Sequence, residues 1–153
     1  MTVLYFAYGS NMSTERMSSR ASSAKTVGRA RIPDKRLVYN KRSKDGSGRA
    51  NLVDSPGDEV WGVLYEVETD QLVALDRTEG GYERQEVSVI TEQGQTIQAV
   101  VYISDQLTDT PIPYDWYKQL IVSGAREHQL PEHYIELLEA LPAKSNLREQ
   151  SRR

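Results

Sequence analysis

The 153-residue chain contains no cysteine. Disulfides, thiolate nucleophiles and cysteine-ligated metals are thereby excluded, and the composition suits a reducing cytoplasm, which is the location expected. Histidine is almost as scarce: His128 and His133 are the only two, five apart with Pro131 between them, where a metal pair on one helical face would stand four apart. Both are read as surface groups, and no metal or other cofactor is expected. No window approaches the roughly 18 apolar residues of a membrane span, and Met1-Thr2-Val3 lacks the basic flank and apolar stretch of a signal peptide. No membrane partner is expected. There is no Gly-x-Ser-x-Gly elbow to make Ser10 a triad nucleophile, and "KDGSGR" has neither the spacing nor the Lys-Ser/Thr ending of a phosphate loop.

What is present begins with length. A chain of this size can bury about two-thirds of its unfolded surface in one core, so residues 1–143 are read as a single domain and 144–153 as a frayed tail. The net charge is only -3, yet Gly28 to Arg49 carries eight Lys or Arg against Asp34 and Asp45. Such a segment can meet nucleic acid, steer small anions or simply be solvated. Tyr39 is its only stacking surface, so nucleic acid is not the partner expected. The sequence assigns no oligomeric state.

The apolar run Val3 to Tyr8 reads as a strand covered on both faces, and Ser13 as the cap of a helix through Arg20, with Asn11 offering a second side-chain oxygen. Thr26 to Ile32 and Leu37 to Lys41 are expected as separate strands broken at Pro33-Asp34, with "SKDGSG" a loop. Ala50 to Val53 is a short strand, "SPGDE" a turn, and Val60 to Val67 a strand with Trp61, Val63, Tyr65 and Val67 on one face. Thr69 should cap a helix that ends at Gly80-Gly81, and Tyr82 to Thr91 should form a hairpin with Thr96 to Ile103. Two helices follow. Tyr117, Leu120, Ile121 and Gly124 share a face of the first; Tyr134, Leu137, Leu138 and Leu141 repeat along the second, with Pro131 in its opening turn. Mixed spacing with few helices points away from an alternating βαβ fold. An α+β fold is expected, a compact mixed sheet curled into a barrel with flanking helices.

Two stretches carry chemistry. In "VLYFAYGSNM" the strand stops at Gly9-Ser10-Asn11 before a helix, presenting backbone N–H groups without partners where glycine admits close approach. That arrangement can cradle an anion or a reacting carbonyl oxygen, or can be a purely structural turn. In "LDRTEGGYERQEV" the spacing Leu72, Leu75, Glu79 aims the Glu79 carboxylate toward the side that buries the leucines, provided the helix continues that far. Burial, the negative helix end and Asp76 would then each disfavour its ionised form and ready it for proton exchange. If the helix stops sooner, Glu79 faces water.

Taken together, "YFAYGSNM", "SPGDEVWGVLYEV", "LDRTEGGYERQEV" and "YKQLIVSGAREHQLP" resemble the γ-glutamylcyclotransferases (AIG2-like proteins) over nearly the whole chain. The resemblance implies a mixed β-barrel with flanking helices and a cofactor-free reaction in which the α-amine of a small γ-glutamyl substrate attacks its own γ-carbonyl. The products would be 5-oxoproline and an amino acid or amine. The family's glutamate falls on Glu79, its substrate loop on Tyr5, Phe6, Ala7, Tyr8, Gly9 and Ser10, and its helical tyrosine on Tyr117. Related members act on glutathione, γ-glutamylamines or antibiotic side chains, so the glutamate alone does not select a substrate. The alternative is a non-catalytic binding or regulatory protein of the same fold.

Overall fold

The apolar run near the N-terminus is strand β1 (Thr2–Ala7) in the computed structural model, which describes residues 1–145. A single 3₁₀ turn (Ser10–Met12) leads to α1 (Thr14–Arg20), then two long strands, β2 (Lys25–Arg42) and β3 (Gly48–Glu68), and α2 (Thr69–Thr78). The hairpin β4 (Glu83–Thr91) and β5 (Thr96–Ile103) follows, and α3 (Asp115–Glu127) and α4 (Glu132–Ala140) complete the described elements. The strands close into a barrel in the order β1-β3-β2-β4-β5. Closure is made by β1, antiparallel to β3 with Tyr5 opposite Tyr65 and parallel to β5 with Tyr5 opposite Val100. Closing the sheet leaves no unpaired edge and brings distant segments to one end of the barrel.

Two expected breaks in the strands do not occur. β2 runs through Pro33-Asp34, and β3 runs through "SPGDE", because the turn chemistry is absorbed as irregularities in one ribbon. Pro33 lies opposite Glu59 and Lys35 opposite Asp54, so residues 55–58 bulge against Asp34 alone. Asp34 takes a positive φ of 61° and its carboxylate accepts from the Gly57 N–H at 3.0 Å, which holds the bulge.

The helices pack outside the barrel on the stripes their periodicity sets. Ser13 caps α1 by accepting from the Arg16 N–H, as expected. Thr69 does not cap α2: Glu68 holds that position, and the Thr69 hydroxyl and N–H both donate to the Met1 carbonyl, tying α2 to the start of β1. On α4 Ile135 is buried where Leu137 was expected, and Leu137 is 60% exposed. α3 buries Tyr117, Ile121 and Gly124. A Cβ at Gly124 would stand 2.8 Å from Met12 Cβ and 3.0 Å from the Ser13 nitrogen. Only a residue without a side chain lets α3 seat the loop after β1 this closely. His128, at the end of α3, is also not a surface group. Its ring nitrogen lies 2.8 Å from the Met12 carbonyl and 3.2 Å from the Thr14 hydroxyl, a second clamp on the same loop.

Past α4 the Lys144 backbone pairs with Pro113 and Asp115 beside the start of α3. The rest of the expected tail, residues 146–153, lies outside the described residues.

Candidate active site

At the end of β1 the loop clamped by α3 meets the end of α2, and the two bound a small cavity with about 30 Å³ of free space. Five tyrosines wall it: Tyr5, Tyr8, Tyr82, Tyr102 and Tyr117. Gly9, Ser10, Asn11 and Ala50 contribute, and Glu79 is the only carboxylate in the lining. Phe6 and Ala7 do not line it, contrary to expectation: both are buried in the barrel wall, where a Cβ on Gly62 would overlap the Phe6 ring and the Ala7 carbonyl oxygen. The other expected residues, Tyr5, Tyr8, Gly9, Ser10, Glu79 and Tyr117, are brought together.

Glu79 is the residue at which α2 ends, with φ -86° and ψ 51°. The helix stops one residue short of it, yet the side chain still turns inward, 15% exposed. Its carboxylate accepts from Asn11 Nδ2 at 2.7 Å and meets an Arg20 guanidinium nitrogen at 3.3 Å. The same Asn11 amide nitrogen donates to the Tyr5 hydroxyl at 3.0 Å. Asn11 is therefore not a helix cap; it joins the loop after β1 to the end of α2. Asp76, expected as a like-charge neighbour of Glu79, is turned elsewhere, accepting from the Tyr102 hydroxyl at 2.6 Å and pairing with Arg84 at 3.1 Å.

The hydroxyls of the other wall tyrosines are also hydrogen-bonded, whereas Asn11 Oδ1 is buried without a partner among the described residues. Tyr8 donates to the Tyr102 carbonyl at 2.5 Å. Tyr117 accepts from the Ala50 N–H at 3.1 Å while Tyr82 donates to the Ala50 carbonyl at 2.6 Å, so the two peptide groups flanking one residue of β3 are both held. All five hydroxyls are pushed above their ordinary pKa, with burial the largest cause for each; the Glu79 charge is next for Tyr5. They are neutral donors at physiological pH, not phenolate bases. Neither the Gly9 nor the Ser10 N–H donates to an acceptor among the described residues. A Cβ at Gly9 would meet only Ala50 Cβ, at an ordinary 3.5 Å, so the protein's own packing leaves room for one.

Ser10, Glu79, Tyr82 and Tyr117 also border a much larger outer basin of about 720 Å³. Seven Lys or Arg line this basin, with Glu79 its only carboxylate. Four of the seven, Lys41, Arg42, Lys44 and Arg49, come from the basic segment that sequence reading left unassigned, and Arg16, Arg20 and Arg77 join them from α1 and α2. Arg49 lies over the rings of Trp116 and Tyr117 at 5.1 and 4.6 Å, and Arg16 donates to the Ser10 hydroxyl at 3.2 Å. Among the described residues no three His, Cys, Asp or Glu cluster as a metal site would need.

Sequence reasoning missed Asn11 as a site residue, and Arg20, Tyr82 and Tyr102 altogether. One signal was available: the chain has nine tyrosines and one phenylalanine. A core that needed only aromatic volume would not favour the hydroxyl so strongly, since each buried hydroxyl must find a partner.

A tyrosine-walled cavity at the end of a closed barrel, with one inward carboxylate beside a glycine-containing loop, is a site that can bind a small polar group and exchange a proton with it. Comparison with known proteins narrows that chemistry. The AIG2-like family model matches residues 59–138, just over half the chain, and includes Glu79, Tyr82, Tyr102 and Tyr117 but not the loop after β1. The chain is 40% identical over 147 residues to the gamma-glutamylcyclotransferase of Homo sapiens, covering 90% of this chain and 78% of that protein. The corresponding protein of Mus musculus is 38% identical over 149 residues, covering 92% and 79%. A solved gamma-glutamyl cyclotransferase superimposes with a TM-score of 0.87 at 34% identity, covering 99% of this chain and 97% of that one. The chain belongs to the AIG2-like γ-glutamylcyclotransferase family.

Proposed function

We infer that this protein is a γ-glutamyl cyclotransferase, converting a γ-glutamyl amino acid or related compound to 5-oxoproline and a free amine, with Glu79 as the group that moves the proton. The observation that carries the reading is the inward Glu79 carboxylate, the one carboxylate in the cavity lining, held by Asn11 and Arg20 beside the Gly9-Ser10 loop. A free space of about 30 Å³ admits a few atoms only, so the reacting end of the substrate enters the inner cavity while the rest lies in the basin.

The steps follow from that placement. Glu79 takes a proton from the substrate α-ammonium, whose ordinary pKa is about 7.7 to 8.0. The freed amine attacks the γ-carbonyl carbon and forms the ring C–N bond. The Gly9 and Ser10 N–H groups stabilise the oxyanion. As the original amide C–N bond breaks, Glu79 gives that proton to the leaving nitrogen, and the second proton shed by the ring nitrogen passes through the same carboxylate to the departing amine, which leaves as an ammonium. No water is consumed, and nucleophile and electrophile are tethered beforehand, so the protein's work is to fold the substrate and hold the charge. A cysteine-free chain suits this chemistry and a reducing cytoplasm.

The test is incubation with γ-glutamyl-alanine, γ-glutamyl-glutamate, γ-glutamyl-lysine and glutathione, with 5-oxoproline detected by mass spectrometry. Turnover of at least one is expected. A protein that melts cooperatively yet converts none of them would overturn the reading.

A further inference from the structure

The outer basin holds more positive charge than the chemistry uses. Arg20 pairs with Glu79, and Arg49 with Asp45 at 3.1 Å. Arg16, Lys41, Arg42, Lys44 and Arg77 have no carboxylate partner among the described residues. These five come from α1, from the β2–β3 connection with the strand end before it, and from the last turn of α2. The fold has thus brought together like charges that repel one another, and some of them are partly desolvated. Burial first, and the Arg49 charge second, hold the Lys41 ammonium below its ordinary pKa; burial and then Arg20 do the same for the Arg16 guanidinium. Such a cluster is relieved by an anion.

The charges on a simple substrate do not match it. A γ-glutamyl amino acid with a neutral side chain carries two carboxylates, and its ammonium is the group Glu79 engages. Two carboxylates leave most of five unpaired cations unanswered. The basin's 720 Å³ is also in the range that encloses a drug-sized ligand, more than the body of a small neutral amino acid fills. We propose that the basin selects an acidic leaving group, so that the preferred substrates are γ-glutamyl compounds whose leaving amine bears a carboxylate beyond its own α-carboxylate, such as γ-glutamyl-glutamate or a short γ-linked chain of glutamates. The proposal rests on the cyclotransferase reading. The bonds made and broken are unchanged: the ring C–N bond forms, the amide bond to the leaving glutamate breaks, and its nitrogen receives both protons through Glu79.

The experiment compares kcat/KM for γ-glutamyl-glutamate with that for γ-glutamyl-glutamine, which has nearly the same shape and one charge fewer. The wild type should favour glutamate by about tenfold or more at low salt, as expected for one added charge-assisted contact, and the preference should shrink in about 0.5 M KCl. In the triple variant Lys41→Gln, Arg42→Gln, Arg77→Gln the ratio should fall toward one. If the triple variant does not fold, Arg77→Gln alone, on an exposed turn of α2, should still lower the ratio about threefold. A wild-type ratio near one, or a preference indifferent to both salt and substitution, overturns the proposal and leaves the cyclotransferase intact. Failure to convert either dipeptide, or any other γ-glutamyl compound of the wider panel, overturns the cyclotransferase reading and this proposal with it.

Discussion

The inner cavity and the outer basin share four lining residues and are built by opposite means. In the cavity most polar side chains are tied to the protein before a substrate arrives: Asn11 to Glu79 and Tyr5, Tyr82 and Tyr117 to the Ala50 backbone, Tyr102 to Asp76. In the basin five of the seven cationic side chains stand without carboxylate partners among the described residues. Fixed neutral donors around one carboxylate suit bond making, where reorganisation at the moment of reaction is costly. A field of cations on long side chains suits capture and selection, where long-range attraction counts more. Substitutions in the cavity should therefore act on kcat, and substitutions in the basin on kcat/KM between substrates.

Glu79→Gln should break the comparison hardest. The amide keeps the shape and can still accept from Asn11, so melting should change little while kcat falls about 10²- to 10⁴-fold. Asp76→Asn is the control. Because Asp76 faces Tyr102 and Arg84, its loss should cost far less in kcat, and a larger loss there than at Glu79 would move the proton-transfer role to Asp76.

Gly9→Val comes next. The first added carbon meets only an ordinary contact with Ala50, so the variant should fold, yet the side chain would occupy the space through which substrate reaches the loop N–H groups. A drop of about 10²-fold in kcat/KM is expected, the scale of a misplaced reacting group. Normal turnover by a folded variant would remove the Gly9-Ser10 cradle from the mechanism.

Gly124→Ala sharpens the same point from outside the cavity. Its methyl would press on Met12 and Ser13, and overpacking of this kind costs about 1 to 3 kcal/mol. The melting temperature should fall and kcat with it, although residue 124 lines neither cavity nor basin. An unchanged kcat would mean that the loop does not need α3 to hold its geometry.

The smallest effect belongs to the basin's rim. Burial works to raise the Asp45 pKa, but hydrogen bonds from the Ser47 hydroxyl and N–H, together with Arg49, outweigh it and hold the carboxyl at about 2. A carboxyl depressed from its ordinary value of about 3.9 stabilises the fold above that pH. The contribution is lost as pH falls from about 4 through about 2. Thermal melts of Asp45→Asn should show a smaller acid-induced decline over that window than wild type, and parallel declines would remove Asp45 from the acid response.

Which of these features local sequence could reveal follows from how far apart their partners lie. β1, the loop glycine and the β4–β5 hairpin were legible because each depends on near neighbours or on strand alternation, whereas Glu79 was expected inward only if α2 reached it; α2 stops short, and the distant Asn11 and Arg20 hold the side chain inward instead. The continuity of β2 and β3 was not, since Pro33-Asp34 and "SPGDE" are sound turn signals that a long ribbon here absorbs by bulging. The contacts of Arg20 with Glu79 and of Tyr117 with Ala50 span 59 and 67 residues, and only closure of the barrel makes them neighbours. The basic segment was visible as composition, but its convergence with Arg16 and Arg77 on one basin was not.

The central claim is that the substrate's own amine, and not water, attacks the γ-carbonyl. Its most direct test is one turnover of γ-glutamyl-alanine, or the best substrate found, in H₂¹⁸O with enzyme in excess, followed by mass spectrometry of the acyl product. Intramolecular attack predicts 5-oxoproline with no ¹⁸O incorporated. Glutamate carrying one ¹⁸O in its γ-carboxylate would mean hydrolysis, and would contradict the account.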